Sequence, residues 1–98
     1  MTNNDTQPTP SIDHHLDTQG LICPEPVMLL HRTIRKAEGG EYIEVLATDP
    51  ATTRDIPNFC RHLGHTLVSQ SEADNPAGDS EIHTDKLYRY VIDRKSVV

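Results

Sequence analysis

Two prolines with a single glutamate between them, in "LICPEP" (residues 21–26), fix where a helix can begin. Pro24 and Pro26 have no N–H and cannot sit in a helix interior. In the first turn the missing donors cost nothing. Glu25 suits the positive end of the helix dipole. From there "VMLLHRTIRKAEGG" places Val27, Leu30, Ile34 and Ala37 at helical spacing, a face for packing on a sheet. Arg32, Arg35 and Lys36 load the C-terminal half, and Gly39-Gly40 stop the helix.

The flanking segments supply strands. A short strand is expected around Leu16 despite the weak strand formers His14, His15 and Asp17, and it ends at "TQG", where Gly20 marks a turn. "EYIEVLA" alternates and reads as the next strand. "TDPATTRDIPNFCRHLGH" opens a second helix. Asp49 or Thr48 can cap it with Pro50 in the first turn, or Thr52 can cap a later start with Asp55 three residues on. Pro57 argues for a regular helix that begins near Ile56, or for an irregular first turn. Phe59, Cys60 and Leu63 supply its apolar face and Gly64 its stop. "HTLVSQSE" and "KLYRYVIDR" read as third and fourth strands, joined as a hairpin across the polar, turn-rich "ADNPAGDS".

The order is therefore βαβαββ. It predicts an α+β fold, a two-layer α/β sandwich with a four-stranded mixed sheet and two helices on one face. Residues 1–11 read as a flexible N-terminal tail. Residues 12–98 form a single domain, with a loop insertion at about 73–85.

Ninety-eight residues suit one small domain with a single modest core. The formal charge of −6 argues against direct nucleic-acid binding, which needs a Lys/Arg surplus to neutralise phosphates. The first residues, "MTNNDTQPTPSIDHH", have neither a basic start nor an apolar run, so they do not read as a signal peptide. No stretch approaches the roughly 20 apolar residues of a membrane helix. The expectation is a cytoplasmic protein without membrane contact. There, cysteines are more often reduced, catalytic or metal-binding than paired. Cys23 and Cys60 are too far apart for a CxxC redox pair.

Cys23 stands where a strand hands over to a helix. The helix dipole favours a negative sulfur, while Glu25 and the acidic balance of the chain oppose it. The expectation is a thiol pKa that falls, giving a modestly activated thiolate held outward by stiff prolines. Position alone also allows a small hydrophobe tucked under the helix. A hydrolase nucleophile would need a histidine base and an orienting acid, and none of the six histidines sits in a recognisable signature.

"LICPEPVMLLHRTIR", followed by "DPATTRDIPNFC" and closed by "YRYVI", resembles the TusA branch of the SirA-like family of sulfur carriers, from about Leu16 to about Arg94. The resemblance implies the same βαβαββ sandwich. It also implies that Cys23 accepts a sulfane sulfur as a persulfide from a pyridoxal-phosphate cysteine desulfurase. The sulfur then passes through a downstream Tus-type relay to the enzyme that makes 2-thiouridine at the tRNA wobble position. Pyridoxal phosphate belongs to the donor, and no cofactor or metal is expected on this chain. Only persulfide half-reactions are implied, without independent turnover, and a monomer that can leave its donor.

Around Cys23, the resemblance and the layout together nominate Pro24, Glu25, Pro26, Met28, Arg32, Asp49 and Arg54 as supporting or partner-docking residues. Each has a plainer role as well. Met28 can fill a core gap, Arg54 and Asp55 can form a local ion pair, and Arg32, Arg35 and Lys36 can be a solvated face. His31 departs from the arginine usual in this branch, which weakens a fixed positive contact near neutrality. Cys60 is expected in the core. Its offsets to His62 and His65 do not suit a metal site. Two competing functions stay open: a carrier feeding molybdenum-cofactor or sulfur-oxidation pathways, and a non-catalytic interaction module with a structural Cys23.

Overall fold

The computed structural model describes residues 11–74 and 86–95. Its elements are β1 (His14–Thr18), α1 (Glu25–Lys36), β2 (Tyr42–Ala47), α2 (Thr52–Leu63), β3 (Thr66–Asp74) and β4 (Lys86–Asp93). The strands form one sheet in the order β1-β2-β4-β3. β1 runs parallel to β2, with Leu16 opposite Val45, and β4 is antiparallel to both β2 and β3. This is the α+β two-layer sandwich with a mixed four-stranded sheet that the sequence predicts.

The period-two pattern of the central strands decides which face is covered. Ile43, Val45 and Ala47 of β2 and Tyr88, Tyr90 and Ile92 of β4 point into one core. Leu30 and Ile34 of α1 and Ile56, Phe59 and Cys60 of α2 pack against them. Fully burying such a side chain contributes about 1.5–3 kcal/mol. This cluster, rather than the exposed ion pairs, therefore holds the two layers together. Across the outer face, Glu44 accepts hydrogen bonds from His15 at 2.7 Å and from Arg89, which ties β1, β2 and β4 together.

The structure corrects three local expectations. Of the starts the sequence allows, α2 takes an early one, at Thr52 shortly after Pro50, and continues through Pro57 rather than beginning near Ile56. The turn before it supplies the reason. Asp49 O accepts both the N–H of Thr52 at 3.0 Å and its hydroxyl at 2.7 Å, and Pro50 O accepts the N–H of Thr53 at 3.0 Å. With its first donors paired, the helix tolerates the single N–H that Pro57 lacks. Leu63 lies at the surface, 37% exposed, not in the core. β3 runs on to Asp74, so residues 73 and 74 belong to a strand rather than to the loop. The rest of that loop and nearly all of the expected tail lie outside the described residues.

β3 is an edge strand on which only Leu67 packs against the core. A register shift between Leu67 and Ser69 leaves Val68 out of the ladder and exposed.

Candidate functional site: a cysteine between two strand-to-helix junctions

Because β1 and β2 are parallel neighbours, their C-terminal ends lie side by side, and so do the turns that lead into α1 and α2. The carboxyl end of parallel strands is the usual place for a site in such a layout. The first turn, residues 19–24, carries Cys23. The second, residues 48–51, holds the first in place. Gly20 N–H donates to Thr48 Oγ1 at 2.9 Å, and Cys23 N–H donates to Asp49 Oδ2 at 2.6 Å. Gly20 has φ of 85°, a conformation that favours glycine. The Cys23–Pro24 peptide bond is cis.

The second turn is anchored in the core. Thr52 Oγ1 gives its proton to Asp49 O, so the Tyr90 hydroxyl, 2.8 Å away, is the donor to Thr52. Tyr90 is fully buried on β4. A chain of hydrogen bonds thus runs from the centre of the sheet through Thr52 and Asp49 to the backbone of Cys23.

Cys23 itself is exposed, which excludes the reading of it as a core hydrophobe. Its Sγ–H donates to Asp55 Oδ2 at 3.2 Å. Asp55 Oδ1 in turn accepts from Arg54 Nε at 3.1 Å. The expected fall in thiol pKa is overturned. The hydrogen bond to Asp55 raises it above the ordinary value, some desolvation and the negative charges of Asp55 and Asp49 add to the rise, and only Arg54 opposes it. The helix dipole loses because the early turn has little to offer the sulfur. Pro26 has no N–H, and Glu25 N–H is taken by Ile22 O at 2.9 Å. The resting site is a protonated thiol facing a carboxylate.

The sulfur opens onto a groove of about 540 Å³ between α1 and α2. Val27, His31, Phe59 and Leu63 form its walls, and the His31 ring stands edge-on to Phe59 with centroids 4.6 Å apart. On the other flank of α1, Glu25, Met28 and Arg32 line a smaller cavity of about 280 Å³ with Leu21 and Leu29. Ile22 and Met28 are 69% and 60% exposed, so apolar surface flanks the thiol on that side.

The residues nominated from sequence separate into three groups. Asp49 and Cys23 bond directly, and Arg54 pairs with Asp55 and acts on the sulfur through its charge alone. Pro24, Glu25, Met28 and Arg32 lie exposed around or beyond it. The Pro26 side chain is fully buried, so it supports the turn from within. Asp55, weighed from sequence as a capping residue for α2 or an ion-pair partner of Arg54, is the group that touches the sulfur. Its place three residues after Thr52 was visible in the sequence, but its distance from Cys23 was not.

A profile described as "Sulfurtransferase TusA" matches residues 14–86, a span that includes Cys23, Asp49, Arg54 and Asp55. The chain belongs to the TusA family. Proteins named sulfur carrier protein TusA from three strains of Pseudomonas aeruginosa are each 56% identical to it over 64 residues. The match covers 65% of this chain and 81% of theirs. No helix among the described residues of this TusA-family chain is long and apolar enough to cross a membrane. Among the same residues, no group of three His, Cys, Asp or Glu side chains is placed to hold a metal ion.

Proposed function

We propose that Cys23 accepts a sulfane sulfur as a persulfide from a cysteine desulfurase and passes it to a downstream relay that serves 2-thiolation of the tRNA wobble uridine. One observation carries this reading: in a TusA-family chain, the cysteine of the CPEP turn is solvent-exposed and held by its backbone. The chemistry asks for little more. In the accepting step the Cys23 sulfur attacks the outer sulfur of the donor persulfide. The donor's sulfur–sulfur bond breaks, its inner sulfur leaves as a thiolate, and the proton lost by Cys23 returns to that leaving sulfur. The carried atom keeps its oxidation level, so no external oxidant or reductant is consumed.

The surface around Cys23 fits docking by charge. Glu25, Asp49 and Asp55 give the turn an acidic rim, with Arg54 paired to Asp55. A donor presenting a cation there weakens the field that holds the proton on sulfur, so thiolate forms where it is used. Arg32, Arg35 and Lys36 form a separate basic stretch farther along α1, available to a second contact or a second partner.

The test is incubation with a cysteine desulfurase, pyridoxal phosphate and cysteine, followed by intact mass. A gain of one sulfur atom, localised to Cys23 and removed by reductant, supports the reading. A protein that gains nothing beside an active desulfurase from the same cell refutes it. Delivery of the label to tRNA in an extract, lost with Cys23→Ser, separates the wobble-uridine route from other sulfur-using pathways.

A further inference from the structure

The sulfur of Cys23 faces the negative charge of a side chain from a different helix, and this bears on how cargo is kept. We propose that Asp55 is a positioning residue that makes Cys23 retain a carried sulfur: it accepts the Sγ–H of the empty site and, once the site is loaded, opposes departure of the same sulfur as a thiolate. The inference rests on the persulfide-carrier reading.

The geometry is specific. Asp55 Oδ2 lies 3.2 Å from Sγ, and Arg54 Nε holds the other oxygen at 3.1 Å. The carboxylate is therefore steered with one oxygen toward the sulfur. The charged or titratable groups around the thiol are Asp55 and Arg54 from α2, Asp49 from the turn before it, and Glu25 next along its own helix. His31 and His62 line the groove beyond.

Asp55 raises the thiol rather than lowering it, through its hydrogen bond first and its charge as well. The proton stays on sulfur, so Asp55 holds the thiol rather than ionising it.

Loading changes the contact. In Cys23–Sγ–SH the inner sulfur is bonded to the carried atom and has no proton to donate, so Asp55 loses its hydrogen bond and faces the sulfur with charge alone. To unload, an incoming thiolate attacks the outer sulfur and forms a new sulfur–sulfur bond to it. The old bond breaks and its electron pair stays on Sγ. That thiolate then takes a proton from solvent and restores the contact to Asp55. The attacking thiol is oxidised to a persulfide and Cys23 is reduced to a thiol, so electrons balance. Leaving as a thiolate is slower the more basic the leaving sulfur is. A carboxylate beside Sγ therefore slows loss of cargo to small thiols in transit, and a docked partner that pairs with Asp55 lifts the restraint.

The test uses Asp55→Asn, which keeps the shape and a hydrogen-bond acceptor but removes the charge, with Asp55→Glu as the conservative variant. The pH profile of Cys23 alkylation by iodoacetamide is measured on empty protein. Release of sulfur to glutathione at neutral pH is measured after loading with inorganic polysulfide. The expected result for Asp55→Asn is an alkylation midpoint moved to lower pH and sulfur release faster by at least about threefold, with Asp55→Glu restoring both toward the parent. An unchanged or higher midpoint, or unchanged release, overturns the proposal. The alkylation arm needs no cargo. A shifted midpoint in a protein that no desulfurase can load would therefore refute the carrier reading alone.

Discussion

Asp49 and Cys23 are joined across 26 residues of sequence by one short contact, the Cys23 N–H donated to Asp49 Oδ2 at 2.6 Å. The other carboxylate oxygen accepts Ala51 N–H at 3.0 Å. One side chain thus fixes the turn before α2 and the backbone of the cysteine at once.

Replacing Asp49 with alanine removes both contacts. A lost turn bond and a lost charge-assisted bond are expected to lower the unfolding free energy by about 1–2 kcal/mol, read by urea denaturation. Sulfur acceptance by Cys23 is expected to fall by more than the small unfolded fraction explains, because the cysteine turn loses a tether.

Tyr90→Phe tests the anchor beneath. The ring still fills the core, but Thr52 Oγ1 loses a donor while keeping its own bond to Asp49 O. The expected cost is about 1 kcal/mol in urea denaturation. The alkylation profile of Cys23 is expected to stay close to that of the parent protein, since no atom facing the sulfur changes.

The two cysteines differ enough for chemistry to count them. Cys23 is exposed, whereas Cys60 is buried in the core and burial pushes its thiol up to about 11. Iodoacetamide is expected to add one group to the native protein, at Cys23, and a second only in denaturant. Intact mass and peptide mapping check this. Rapid native labelling of Cys60 would show that the core opens.

Acid is expected to weaken the strand network on the outer face. His15 first, and then Arg89, hold the Glu44 carboxyl below its ordinary range. A folded-state value below the unfolded one contributes stability that is complete above the ordinary carboxylate range and is lost as pH falls through the lower folded value. Denaturation midpoints measured from neutral pH downward are expected to fall most steeply there, and Glu44→Gln is expected to flatten that part of the curve.

Most of the fold is legible in the sequence because its signals are local. The prolines at 24 and 26, the alternation of "EYIEVLA" and the glycines at 20 and 64 each act within a turn or two. Pro57 misleads for the same reason: taken locally it breaks a helix, whereas the Asp49-centred turn starts α2 earlier and carries it past the proline. The sign of the thiol shift is not legible. It depends on Asp55, 32 residues away in sequence, and only the parallel pairing of β1 and β2 brings the two junctions together. A dipole argument counts the backbone donors of the cysteine's own helix and cannot see a carboxylate arriving from the next one.

The cysteine turn is gripped twice, at Gly20 by Thr48 and at Cys23 by Asp49. The two grips come from adjacent residues at the end of a single strand, so they act as a gauge for the backbone stretched between them. One residue more or fewer between Gly20 and Cys23 would release one grip or the other and carry the sulfur out of register with α2. In this stretch residue count is constrained as tightly as residue type, and insertions or deletions there are expected to be the least forgiving changes the chain can undergo.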